Sequence, residues 1–181
     1  PGLSLRPLVF GTDANWRTHL FCEWNTSHPH PLPSLLYPQR TVRDGRYKLV
    51  RTLLPDRDNP VEAYYTGQVL VKTGASQAEI DAAPEPVRGA YAAWRRPSEV
   101  ELYDLRDDPH EWHDLSASPE HAAIRRRLED VLAAWRRHTG DPLWQPQKLA
   151  RLVAEDQAAQ QLEGGHKKPP FRWEYVDYLY R

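Results

Sequence analysis

An α+β fold, a small antiparallel sheet of about four strands with a C-terminal helix across one face, is predicted by three features of this 181-residue sequence. Asp44-Gly45 lies between the strand-like runs 39–43 and 46–53. Such a pair supplies the positive φ angles of a two-residue type I′ hairpin turn. Glu99 to Leu105 (EVELYDL) alternates Val100, Leu102 and Asp104 against Glu99, Glu101, Tyr103 and Leu105, the period of a strand. From Pro119, Ile124, Leu128, Val131, Leu132 and Trp135 recur on one helical face, so that helix has an apolar stripe to bury.

Residues 1–17 read as an irregular opening segment whose apolar side chains Leu3, Leu5, Leu8, Val9 and Phe10 have no partner element nearby in sequence. Thr18 to Trp24 has the length and composition of a strand. Prolines at 29, 31, 33 and 38 make 25–38 a loop. In the hairpin, Tyr47, Leu49 and Arg51 share one face, and Lys48 and Val50 the other. A charged, proline-bounded loop at 54–61 precedes a helix at 61–72, with Asn59 as cap and Pro60 in its first turn. The Ala/Pro-rich stretch 73–97 is an insertion between strands, with a short helix at Val87 to Trp94. Ser118 and Pro119 open the main helix, and Gly140 and Pro142 stop it. Arg125, Arg126, Arg127, Glu129, Arg136 and Arg137 fall mostly on its solvated side. A second helix is expected over 147–162, and the tail FRWEYVDYLYR reads as a strand or a docking arm.

Composition narrows the function classes. Charged residues make up 27% and hydrophobic residues 40%, the balance of a globular chain. A formal net charge of −1 removes any global electrostatic argument for nucleic acid, and the Arg-rich helix face is read as solvated. No apolar run reaches the roughly 18 residues of a membrane span. The single cysteine, Cys22, cannot close an internal disulfide.

The search for chemistry is mostly negative. No Gly-rich phosphate loop or GxSxG elbow is present. Cys22 precedes Glu23 on a presumed strand, where a nucleophilic thiol lacks a helix N-terminus or basic neighbour. His28 and His30 flank Pro29, and His110 and His113 lie near Asp107, Asp108 and Glu111. Neither spacing is a strong metal signature, and HEWH is one residue short of HExxH. The 107–113 segment is read instead as a turn whose carboxylates organise backbone hydrogen bonds. Asn25-Thr26-Ser27 fits a glycosylation sequon.

Three blocks carry a family resemblance. They are GLSLRPL at 2–8 with Trp16-Arg17 and Phe21-Cys22-Glu23; YPQRTVRDGRYKLV at 37–50; and ELYDL at 101–105 with Asp108-Pro109-His110-Glu111, Asp114-Leu115 and Pro119-Glu120. Together they resemble the C-terminal part of type I sulfatases, in the alkaline phosphatase-like superfamily. YPxRxVR and the helix ending Thr139-Gly140-Asp141-Pro142 are closest to the N-sulfoglucosamine sulfohydrolase (heparan N-sulfatase) branch. Asp114 stands where the family usually has Asn, and both residues suit a turn.

The resemblance implies residues 1–17 as the tail of an upstream catalytic domain, 18–142 as a C-terminal subdomain, and 143–181 as a helical extension with an aromatic tail. It implies calcium and a formylglycine nucleophile, both in the upstream part: Cys22 is followed by Glu23-Trp24-Asn25-Thr26 rather than the C-x-P-S-R motif. This chain is therefore expected to be inactive alone and to form one wall of a pocket for a sulfated saccharide, with the upstream catalytic domain as its partner and no nucleic acid. The implied compartment is secreted, periplasmic or lysosomal. Glu23, His28 and Arg40, and after them His30, are the substrate-binding candidates: Glu accepts sugar hydroxyls, His donates to them, and Arg grips a uronate or sulfate. The alternative for Glu23 and Arg40 is that they pair with each other. The alternative for the whole chain is a stand-alone carbohydrate-binding or assembly module.

Overall fold

Each of the expected strands pairs with its neighbour in sequence. A computed structural model describes residues 4–11, 16–26, 35–67, 75–162 and 172–179. Strands β1 (Leu20–Thr26), β2 (Leu36–Arg43), β3 (Tyr47–Thr52) and β4 (Val100–Asp104) form one antiparallel sheet in the order β1-β2-β3-β4. Before β1 lies the short helix α1 (Arg6–Val9). Helices α2 (Pro60–Gly67), α3 (Gln77–Ala82) and α4 (Glu85–Arg95) occupy the excursion between β3 and β4. Helices α5 (Ala122–Thr139), α6 (Pro146–Gln160) and α7 (Tyr175–Tyr178) follow. The outer part of the expected 61–72 helix lies outside the described residues.

The expected faces are the observed ones. Val42, Leu49, Val100 and Leu102 are buried against Leu128 and Leu132 of α5, with Phe21, Tyr47, Ile124, Val131 and Trp135 around them. Phe21 stacks on Trp135 at 4.9 Å between ring centroids. Each large side chain removed from water here is worth roughly 1.5–3 kcal/mol of transfer free energy. A second cluster joins Leu36 to Leu143, Leu152 and Leu179, so α6 and the tail segment close over the other end of β2. The described part of the tail, 172–179, thus carries a helical turn docked on α6, where Tyr178 Oη donates to Glu155 at 2.9 Å.

Four local expectations are corrected. Strand β2 starts at Leu36 and contains Pro38, within the stretch whose prolines predict a loop. The β1–β2 register shifts between Trp24 and Thr26, and a proline is tolerated beside such an irregularity because no ladder donor is required of it. Gly45 does not occupy the left-handed region; instead of a type I′ turn, the Asp44 carboxylate accepts from Arg46 N and Tyr47 N at 2.8 and 2.7 Å. Ser118 does not cap the backbone: its Oγ meets His121 Nδ1 at 2.9 Å, and the helix begins with a 3₁₀ turn at Pro119–His121. Finally, Arg136 is buried rather than solvated.

The remaining devices follow the sequence. Asn59 Oδ1 accepts from Val61 N at 3.0 Å at the start of α2. Gly140 takes φ 68° and ends α5, a left-handed position at which a side chain adds strain. The acidic turn after β4 organises backbone as expected. Asp114 Oδ1 accepts from Leu102 N and Ser116 N at 2.9 and 2.8 Å, and Asp108 Oδ2 from His113 N at 2.8 Å. Glu111 sits at φ 58°, and its carboxylate is held by Lys48 Nζ at 2.6 Å.

Candidate functional site

Antiparallel pairing places Glu23 of β1 directly opposite Arg40 of β2. Alternation puts Phe21 and Glu23 on the α5 side of the sheet, and Leu20, Cys22 and Trp24 on the other. The Glu23 side chain is 50% exposed, whereas that of Arg40 is 0% exposed. Their closest atoms are 3.8 Å apart, an ion-pair distance beyond hydrogen-bond length. Of the two sequence alternatives for this pair, mutual proximity is the geometry present.

Arg40 spends its donors inside the protein. Nε and Nη2 form a fork on Asp141, at 2.9 Å to Oδ2 and 2.8 Å to Oδ1. Nη1 reaches Gln39 O at 2.8 Å, Asn25 Oδ1 at 3.0 Å and Trp24 O at 3.4 Å. A guanidinium so held offers no surface to a ligand in this chain. The same bond to Asn25 draws the sequon's amide into the network. His28 and His30 lie outside the described residues.

Asp141 and Arg136 complete the cluster and were not recognised as site residues from the sequence. Arg136 Nε donates to Asp141 Oδ2 at 2.6 Å and its Nη2 to Leu143 O at 3.0 Å. Asp141 Oδ1 also accepts from Leu143 N at 3.0 Å. Burial alone would raise the Asp141 carboxyl, but the hydrogen bonds and charges of Arg40 and Arg136 outweigh it and hold it below its ordinary value. Burial lowers Arg136, with Asp141 opposing. A usable signal was present: Leu128, Leu132 and Arg136 recur every fourth residue, which places the arginine on the buried stripe.

The groups implied for catalysis do not fit the described residues. Among them no cluster of three or more His, Cys, Asp or Glu side chains is arranged for a metal ion. Cys22 is exposed on β1. Among the described residues no helix is long and apolar enough to cross a membrane.

Comparison with known proteins gives this architecture its class. The chain is 31% identical over 142 residues, 78% of its length, to the Ulvan-active sulfatase of Formosa agariphila, and covers 25% of that protein. It is 31% identical over 123 residues, 64% of its length, to the N-sulphoglucosamine sulphohydrolase of Homo sapiens, and covers 23% of that one. Among solved structures, a 2-O GAG sulfatase aligns over 77% of this chain and 20% of its own, at 19% identity and a TM-score of 0.48. No family model matches. The chain thus has partial homology to the sulfatase superfamily across more than one subfamily, and the matches do not single out the N-sulfoglucosamine branch. It spans about a quarter of the length of the curated relatives it matches.

Proposed function

We propose that this chain is the C-terminal subdomain of a sulfatase and forms one wall of the pocket that receives a sulfated sugar. The reaction of the whole enzyme is hydrolysis of a sulfate ester or sulfamate, and an N-sulfated glucosamine is the proposed substrate. In this reading 1–17 is the tail of the catalytic domain, 18–142 the subdomain, and 143–181 an extension that buttresses it. The sequence match to two sulfatases over a quarter of their length carries the reading.

Within the chain, Glu23 is proposed to meet the sugar, as an acceptor for hydroxyl hydrogens, a role its half-exposed side chain supports. His28 stays with it as a donor from the adjoining segment. Arg40 belongs to the wall as the group behind Glu23 rather than as a sugar contact, because its side chain is fully buried. Support for a missing partner comes from the exposed apolar residues Leu5, Leu8, Val9, Phe10, Leu20 and Trp24. They fit a chain that packs against a larger domain better than a stand-alone binding module with a polar surface.

The test is sulfate release, assayed with this chain alone and with the enzyme that contains it. Glu23→Gln in the whole enzyme is expected to raise KM several-fold, because an amide oxygen accepts a hydroxyl hydrogen more weakly than a carboxylate does, with the fold intact by circular dichroism. Sulfate release by the 181-residue chain alone would overturn the proposal.

A further inference from the structure

The buried cluster at the end of α5 has an unbalanced charge. Two guanidinium groups, Arg40 and Arg136, share one buried carboxylate, Asp141. Among the described residues, the further anion within ion-pair distance of Arg40 is Glu23, at the solvent edge and 3.8 Å away. Burying a charge without a partner is costly, so the fork from Arg40 to Asp141 sets which way the remaining Arg40 donors face. With Nε and Nη2 fixed on Asp141, the planar group turns Nη1 toward β1. There the β1–β2 register shifts between Trp24 and Thr26, and ladder bonds are disturbed at such a shift. Beside that shift Arg40 donates to the Trp24 carbonyl and to the Asn25 side-chain oxygen. Asp141 is itself anchored by Leu143 N and Arg136 Nε, just beyond the left-handed Gly140.

We propose that Asp141 is a positioning residue: through Arg40 it fixes the end of β1 and keeps the Glu23 carboxylate facing outward. Its effect on sugar recognition rests on the function proposed above; its effect on β1 does not. Removing the negative charge of Asp141 leaves Glu23 as the carboxylate nearest Arg40. Arg40 then turns to it, Glu23 is drawn out of solvent, and the bonds to Trp24 and Asn25 loosen.

The first test is residue-level amide hydrogen exchange on the full chain with Asp141→Asn. Exchange at residues 22–26 is expected to rise at least about fivefold more than at 48–51 and 100–104, a local opening rather than a global one. Arg40→Lys keeps the charge and loses the fork, and is expected to give the same pattern; it serves if Asp141→Asn fails to fold. Uniform acceleration across all strands, or none at β1, overturns the proposal. The second test is a double-mutant cycle on KM in the enzyme that contains the chain. Asp141→Asn is expected to raise KM severalfold with kcat little changed, and to add nothing in a Glu23→Gln background. Multiplicative effects would overturn the coupling. A local exchange pattern with KM insensitive to Glu23→Gln would leave the positioning role standing and refute the sugar wall.

Discussion

Two arginine–aspartate pairs sit at opposite ends of the sheet's helical face, and their environments give them different work. Arg40 and Asp141 are buried, and every bond they make orders protein. Arg46 meets Asp104 with Nε at 2.9 Å and also reaches Asp107 at 3.0 Å, but its side chain is 38% exposed. Hydrogen bonding from Arg46 holds Asp104 down at about 2 and raises Arg46 in turn. Asp104 is itself buried, so water reaches the outer pair through Arg46, and the pair stiffens the turn after β4. The inner pair decides the direction of a strand end, because no water replaces a lost partner there.

The comparison breaks most visibly at Asp141. Asp141→Ala removes the one buried carboxylate that Arg40 and Arg136 share and is expected to cost about 3–5 kcal/mol in urea denaturation. A loss below about 1 kcal/mol would put the inner pair on a par with a surface pair. At the outer pair, Asp104→Asn is expected to cost about 1 kcal/mol at neutral pH, and its sharper signature is acid dependence. Asp104 has a folded pKa of about 2 against an ordinary 3.8. Its contribution is fully present above 3.8 and is lost as pH falls from there toward about 2. Melts across that window should therefore fall less steeply for Asp104→Asn than for the parent. An unchanged slope would show that Arg46 does not hold this carboxylate.

The smallest effect is expected on the sheet's other face. Burial raises Glu101, with the hydrogen bond from Tyr103 Oη at 2.6 Å opposing it. A raised acid contributes stability below its ordinary value, and that contribution is lost as pH rises through the folded pKa. Glu101→Gln keeps an acceptor for Tyr103 without the charge. It should match or exceed the parent at pH 7, by less than about 1 kcal/mol, with the advantage shrinking at acid pH. Thermal melts at the two pH values measure this, and a variant less stable at pH 7 would count against burial as the dominant cause.

Much of the fold was legible. The apolar stripe of α5, the alternation of β4 and the antiparallel hairpin are set by periodicities that repeat within a few residues. The hairpin's turn chemistry was not: Asp44 satisfies Arg46 N and Tyr47 N with its own carboxylate, and either outcome suits Asp-Gly. Pro38 hid the start of β2, since a proline argues against a central strand unless an irregular register frees it from donating. At the candidate site, Glu23 and Arg40 were singled out, but the division of roles between them was not visible. Nothing local distinguishes an arginine that meets a ligand from one that meets an aspartate 101 residues away.

The sequence by itself therefore determined the strands, the helix that covers them and the class of protein to which they are related. It did so because side-chain spacing and turn residues act over one or two turns of chain. Only the tertiary structure decided that Arg40 and Arg136 turn inward upon Asp141 and that Glu23 remains at the surface. That choice depends on which groups lose water when the end of α5 closes on β2, a property of distant segments brought together rather than of any one of them.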